Sequence, residues 1–405
     1  MNILFLTMSS QMLNINESGI YTELVKYFNE KGHCIYIMAP FQRRTGRKTS
    51  LYSENNISIL GVRTLNVSKT NVIEKGLGQV LLEYQFKAAF KKHISHVPFD
   101  LILYSTPPIT FTRVIKYVKQ LNPRAKSYLM LKDIFPQNAV DICMLKKDGL
   151  KGILYSYFRL KEKNMYLASD YIGCMSPANV RYLLKHNQFI DPNIVEICPN
   201  SFNVPADNAF TDDDRRNIRI KYGLPIDKPI FFYGGNLGKP QGIPFLLECL
   251  KTNKSRNDCH FLIVGGGTDY HILEEWINKE HPTSVTLKKF LPKDDYDKLA
   301  GSCDIGMIFL DYRFTIPNFP SRLLNCLMQR KPILACTDPN SDTGSIAAEN
   351  NFGVWCPSNN VEAFTQSVNH LLQADLIRMG ENGYKFFLDN YTVEHTYNAI
   401  MSHFK

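Results

Sequence analysis

Lys239 and Arg322 are the side chains best placed by their neighbours to hold a phosphate. Lys239 lies in the run Tyr233-Gly-Gly-Asn-Leu-Gly-Lys-Pro-Gln-Gly242, between an apolar strand and an apolar helix expected to begin near Ile243. Glycines let backbone amides approach a phosphate without an intervening Cβ, and a helix N-terminus adds a favourable dipole. Gly235, Asn236, Gly238, Lys239 and Gln241 are therefore candidate anion-binding positions, although the same run also reads as an ordinary tight turn. Arg322 closes Ile316-Pro-Asn-Phe-Pro-Ser-Arg322, which leads into a helix expected over Leu323 to Gln329. Ser321 is expected to cap that helix and Arg322 to grip phosphate oxygens bidentately; the alternative is a simple cap with the arginine in solvent. Val264-Gly-Gly-Gly267 makes a further glycine turn, with Tyr270 where the third glycine of a dinucleotide fingerprint would fall, and no GxxxxGK[ST] run is present. A nicotinamide site and a P-loop are both poorly supported.

A second kind of chemistry is suggested by Asp133 and Ser176, which stand just past the ends of apolar strands at Ser127 to Leu131 and Tyr171 to Cys174. Ligands of open α/β sheets collect at such loops. Lys132 beside Asp133 adds a cation, and a buried Lys–Asp pair with no catalytic part is the competing reading. Asp212-Asp-Asp214 has a DxD spacing but sits in a polar stretch and reads as solvated surface. The ten cysteines form no CxxC pair and read as reduced core residues, so no metal site is expected.

The elements that must position these residues come in two series. Apolar strands at Ile3 to Leu6, Ile35 to Ala39, Leu101 to Tyr104 and the two named above alternate with helices. A second series runs through Ile230 to Tyr233, His260 to Val264, Ile305 to Phe309, Ile333 to Ala335 and Val354 to Trp355. Alternating βα units imply parallel sheets with helices on both faces. With 405 residues, two such domains are expected: 1–205, then 206–385 after a polar linker from Ala206, with a last helix over 386–405 packing back toward the first domain.

The charge of +9 is uneven, because fifteen Lys or Arg against six Asp or Glu between Glu83 and Lys163 match the whole chain's surplus. A wet basic face and an anionic partner are both compatible with that. Leu82, Phe86, Phe90 and Ile94 repeat every four residues with Lys87, Lys91 and Lys92 beside them, a pattern that can rest in a lipid headgroup layer or simply face the core. No apolar run approaches the roughly 20 residues needed to span a bilayer, and the first ten residues lack a signal peptide's basic start. Membrane contact is expected to be peripheral, from the cytoplasmic side.

The ordered set of these loops resembles the family 4 glycosyltransferases of the GT-B fold along nearly the whole chain. Ser18-Gly19, Lys31-Gly-His33 with Pro40, Val195 to Asn200, Val264 to Gly267, Phe290-Leu-Pro292 and Gly380 to Tyr384 recur in the family's order. Lys132-Asp-Ile-Phe-Pro-Gln137 and Gly235 to Gly242 are similar to segments of the bacterial surface-polysaccharide subgroup that transfers sugars such as N-acetylfucosamine. The resemblance implies two Rossmann-like domains facing a cleft. It also implies a retaining, metal-free transfer of an N-acetylated amino sugar from a UDP-sugar to a saccharide, in capsule or O-antigen synthesis. The acceptor would ride on a polyprenyl diphosphate at the inner face of a bacterial membrane.

By the same resemblance Asp133 and Lys132 take the catalytic place, with lysine where the family has histidine. Ser18, Gly19, Gly265, Pro320, Ser321 and Asn325 would join the donor-binding set, and Phe290 and Leu291 would flank the uracil. The family's Arg and Lys of the second domain's first loop appear here as Asn236 and Gln241, which leaves Lys239 and Arg322 to neutralise the diphosphate. The family's two glutamates fall on Pro317 and Asn325. Two rivals stay open: a sugar-nucleotide epimerase of the same architecture, and a nucleic-acid-binding protein suggested by the basic surplus.

Overall fold

The computed structural model describes residues 1–67, 70, 72–204 and 211–404, leaving aside the side chains of residues 72, 73, 75 and 150. Contacts divide the chain into two units, Met1–Asn203 with Thr392–Lys405, and Val204–Tyr391. The division drawn from sequence at 205/206 lies outside the described residues. Position 385 lies inside the helix Leu376–Asn390 of the second unit.

The first unit holds β1 (Asn2–Leu6), β2 (Cys34–Gln42), β3 (Ser50–Glu54), β4 (Ile57–Thr64), β5 (Leu101–Ser105), β6 (Lys126–Leu131), β7 (Tyr171–Cys174) and β8 (Val195–Ile197). They form one sheet in the order β3-β4-β2-β1-β5-β6-β7-β8, parallel except for the β3–β4 hairpin. Its turn is Asn55-Asn56, both at positive φ, as a tight hairpin turn requires. Helices α1 (Ile20–Glu30), α2 (Val72–His93), α3 (Thr112–Leu121), α4 (Gln137–Asp141), α5 (Gly149–Ala168) and α6 (Pro177–His186) connect the strands. Leu4 and Leu6 point into one apolar cluster and Ile3 and Phe5 into another, so both faces of the sheet are buried. That is why these strands read as apolar runs without alternation. The C-terminal helix Val393–Met401 packs against α1 in this same unit.

The second unit opens with α7 (Asp212–Lys221), in which Asp212 to Asp214 form the first turn. Thr211 and Asp214 cap each other's backbone in a capping box. The acidic run expected as plain linker surface is therefore a helix start, where carboxylates favour the dipole. Its sheet runs β11 (Val285–Lys288), β10 (His260–Gly266), β9 (Ile230–Asn236), β12 (Ile305–Phe309), β13 (Ile333–Thr337), β14 (Gly353–Pro357), every pair parallel. Renumbered within the unit this is the order 3-2-1-4-5-6 of a dinucleotide-type sheet, with its switch point between β9 and β12. The chain thus comprises two parallel-sheet α/β units. Among the described residues no helix is long and apolar enough to cross a membrane.

Candidate active site

The carboxyl end of β9 lies at the switch point of the second sheet, and the glycine run leaves from it. Between strand and helix it makes a short 3-10 turn, Lys239–Gln241, then Gly242 in the left-handed region, before α8 (Ile243–Thr252) begins. Gly235 and Gly265 sit opposite each other at the ends of β9 and β10, with φ of 130° and 158°. A Cβ on Gly265 would stand 1.8 Å from the Gly235 carbonyl oxygen, so the strand ends themselves demand this glycine. That requirement was invisible in sequence, where the glycines were read as room for a phosphate.

Within the turn, Asn236 Nδ2 donates to Gln241 Oε1 at 2.8 Å, and the Gly238 amide reaches the same oxygen at 3.3 Å. Asn236 and Gln241 therefore brace the loop with each other. Lys239 is exposed. Phe290 stands beyond β11 with its ring against Gly266 and is 68% exposed, while Leu291 packs partly into the core between β9 and β10.

Arg322 opens α11, which follows α9 (Tyr270–Glu280) and α10 (Lys293–Gly301) and spans Arg322–Met328. Ser321 precedes it in helical geometry and makes no side-chain cap bond, so the expected Ser321 cap is corrected. A capping side chain needs extended backbone at its own residue, and Ser321 has φ −59° and ψ −20°. The Arg322 guanidinium is not in solvent. It lies over the Tyr233 ring at 4.4 Å, with Nη2 3.3 Å from where a Gly235 Cβ would be. Its Nη1 is buried with no hydrogen-bond partner among the described residues. A buried cationic donor left unpaired is costly unless something supplies an acceptor. Pro320 is partly buried on the approach to α11, and Asn325 is exposed one turn along it. Pro317 is buried.

In the first unit, β6 delivers Lys132 and Asp133 to the carboxyl edge of the sheet. Both backbone amides donate to Thr106 Oγ1 at 2.9 Å, which fixes the turn. The side chains then part company. Lys132 Nζ donates to the Cys198 carbonyl at 2.8 Å, and burial lowers its pKa. Asp133 Oδ1 accepts from Asn138 Nδ2 on α4 at 2.7 Å. Burial pushes the Asp133 carboxyl up to about 6, against the Asn138 hydrogen bond and the Ile134 amide. The alternative of a mutual Lys–Asp pair is thereby replaced by two separately satisfied groups. Ser176, also past a strand end, caps α6 through the Asn179 amide.

Ser18 hydrogen-bonds Glu23, whose other oxygen accepts the Asn203 amide at 2.7 Å; Gly19 precedes α1 in extended backbone. The ridge of Leu82, Phe86 and Phe90 on α2, with Ile94 just past its end, is wholly buried in the first unit's core. The expectation that it rests in a headgroup layer is corrected: the core of the sheet claims that face. Lys87 lies over the Tyr117 ring at 4.4 Å, and Lys91 and Lys92 are exposed. The structure brings Gly235, Asn236, Gly238, Lys239, Gln241, Gly265, Phe290 and Arg322 together at the strand ends of the second unit. Ser18, Gly19, Lys132 and Asp133 belong to the first unit.

Tyr233 was missed as a site residue, since its ring at the strand end seats the arginine. Nothing in sequence pairs a tyrosine with an arginine 89 positions on.

Residues 214–386 match the family described as glycosyl transferases group 1. The chain is 24% identical over 324 residues to a protein described as "Probable glycosyltransferase WbjE" of Pseudomonas aeruginosa, covering 77% of this chain and 76% of that one. Among solved structures it is similar to sucrose-phosphate synthase of Thermosynechococcus elongatus, with TM-score 0.73 and 14% identity over 100% of this chain and 98% of that one. It is also similar to HepE of Anabaena in complex with UDP, with TM-score 0.68 and 13% identity over 100% and 99% of the two chains. The second unit thus carries a group 1 glycosyltransferase domain on a GT-B-like fold, and the chain is an enzyme, a glycosyltransferase.

Proposed function

We propose that this glycosyltransferase takes its sugar from a UDP-sugar and passes it, with retention at the anomeric carbon and without a metal, to a lipid-linked saccharide. The observation that carries the donor half is the Arg322 guanidinium, seated on Tyr233 with a buried Nη1 lacking an acceptor. A diphosphate supplies that acceptor, and Lys239 adds a second positive charge from the loop after β9. The anion that builds up on the leaving diphosphate is then met by groups already oriented. Phe290 offers an exposed ring to the base, and Asn325 an amide to the ribose. An N-acetylated amino sugar is the donor sugar we favour, from the likeness of Lys132 to Gln137 and Gly235 to Gly242 to the surface-polysaccharide subgroup. The acceptor hydroxyl would attack from the face that the diphosphate leaves, its proton passing to the departing diphosphate as the anomeric C–O bond breaks, with Asp133 stabilising positive charge on the sugar. The relative described as a probable glycosyltransferase supports this reading over an epimerase, and it and the neighbour solved with UDP support it over a nucleic-acid binder.

The test is a thermal-shift panel of nucleotides and UDP-sugars with EDTA present. A ligand that binds only the folded chain stabilises it by about 2.7 kcal/mol at a hundred times its Kd, whatever the acceptor. UDP and at least one UDP-N-acetylamino sugar are expected to raise the melting temperature, and EDTA to change nothing. A panel without any shift from UDP would sink the donor assignment.

For the lipid-linked acceptor, support comes from α5 in place of the buried α2 ridge. Ile153, Leu160 and Leu167 stand seven residues apart on it, 69%, 57% and 60% exposed, with Lys163 exposed beside Leu160 and Leu167. Apolar side chains among lysines suit an anionic headgroup layer, where each basic residue contributes about 1 kcal/mol. Lys87, Lys91 and Lys92 add to that charge. Co-sedimentation with anionic vesicles is expected to exceed that with neutral ones. It should drop severalfold when the three lysines become glutamine, and again when Ile153, Leu160 and Leu167 become serine. Equal recovery from both vesicle types would remove the membrane from the reading.

A further inference from the structure

A pocket of about 330 Å³ opens in the first unit, lined by Arg43, Arg63, Thr64, Leu65 and Gln85. The fold puts it at the carboxyl edge of the sheet. Arg43 is the first residue after β2, Arg63 and Thr64 are the last of β4, and the two strands pair in parallel with Gln42 opposite Thr64. Gln85 comes from α2, which packs on β4. Open α/β sheets bind ligands beyond these strand ends.

Two features of the lining point to a ligand. Thr64 is only 2% exposed, yet among the described residues its hydroxyl has no hydrogen-bond partner, and the side-chain carbonyl of Gln85 is likewise buried and unpaired. Buried polar atoms are almost always satisfied, and leaving one unmade costs about 1–3 kcal/mol. The second feature is charge. The Arg43 and Arg63 side chains are exposed and neither forms an ion pair among the described residues, although both line one small pocket. The carboxylate nearest in sequence on α2, Glu74, spends its oxygens on Thr70 and Asn66. Its lowered pKa comes first from the Thr70 hydrogen bond, with Arg43 a lesser influence.

The geometry points to a phosphorylated sugar as the occupant of this pocket. Arg43 and Arg63 would grip the phosphate oxygens, the Thr64 hydroxyl would donate to the same group, and the Gln85 carbonyl would accept from a sugar hydroxyl. An anion without a hydroxyl leaves the Gln85 carbonyl without a donor, whereas a ligand with both a charge and a hydroxyl can satisfy all four. Naming it the reducing-end phosphate of the acceptor rests on the transferase reading above. The binding itself does not.

The full chain, saturated with UDP to fill the donor site, is titrated calorimetrically with glucose 1-phosphate and separately with pyrophosphate. Both are expected to bind with one site per chain. Changing Arg43 and Arg63 together to glutamine should weaken both at least tenfold while leaving UDP affinity unchanged, since these exposed side chains support no core. Gln85→Leu should weaken glucose 1-phosphate severalfold and spare pyrophosphate. The Arg322→Ala chain without UDP should keep its glucose 1-phosphate site, which separates failure here from failure of the donor assignment. No binding at saturating UDP, or equal affinity in the double arginine variant, overturns the proposal. Loss of both ligands in Gln85→Leu, with its melting temperature unchanged, overturns the sugar-hydroxyl contact.

Discussion

Replacing Arg322 with alanine is expected to weaken UDP binding by about 1.5–3 kcal/mol, the loss typical of a hydrogen bond to a charged group, or roughly ten- to a hundredfold in Kd. The size follows from where the guanidinium sits. It is held over the Tyr233 ring beside Gly235, so little side-chain freedom is lost on binding, and its buried Nη1 gains a partner only when an anion arrives. Arg322→Lys keeps the charge and loses the planar fork, so it should fall between wild type and alanine. Lys239→Ala should cost less, because an exposed ammonium acts through water and salt. Raising ionic strength should therefore erode the Lys239 contribution before the Arg322 one. Calorimetry with UDP on all three variants decides it, with melting temperatures as the control for folding. Unchanged UDP affinity in a stable Arg322→Ala chain would remove the diphosphate from this edge of the second sheet.

Most of the parallel strands were legible because burial on both faces leaves apolar runs bounded by glycine, proline and polar loops, as in β1, β5, β9 and β12; the short, partly exposed β8 and β11 were not read. The β3–β4 hairpin was not read: β3 is exposed along much of its length, and its signal is the Asn55-Asn56 turn alone. The Leu82 to Ile94 ridge shows the limit of periodicity, which finds an apolar face but not what covers it. Ile153, Leu160 and Leu167 lie outside that pattern and are exposed. At the site, the residues that strand ends deliver were legible, namely Asp133, Lys132 and the glycine run. What required tertiary structure was each group's partner: Tyr233 under Arg322, Cys198 for Lys132, Asn138 for Asp133. The pocket of Arg43 and Arg63 escaped because the charge count drew attention to the basic stretch from residue 83 onward. Arginines at the ends of two strands were the available signal.

Asp133→Asn is expected to lower turnover at neutral pH by tenfold or more, equivalent to at least about 1.4 kcal/mol of transition-state stabilisation. It should also make the chain more stable, a combination that a purely structural residue would not give. Burial raises the folded-state pKa of Asp133 from 3.8 to about 6, so the fold favours the protonated carboxyl. That favourable contribution is fully present below about pH 4 and is lost as pH rises through about 6, where the native state must carry a poorly solvated charge. Asparagine keeps the shape and never ionises. Its advantage should be absent near pH 4, grow between pH 4 and 6, and level off above, at up to about 3 kcal/mol for a two-unit shift. Catalysis runs the other way, because stabilising positive charge on the sugar needs the carboxylate. The pH profile of kcat/KM should therefore fall below about pH 6 in the wild type. Asp338 in the second unit is also raised to about 6 by burial, so the limb alone does not identify its owner. Loss of the limb in Asp133→Asn, with the residual rate flat from pH 5 to about 8, does. A variant as active as wild type, or one slower but with the acid limb intact, would take Asp133 out of the chemistry and leave it a buried acid that the fold tolerates.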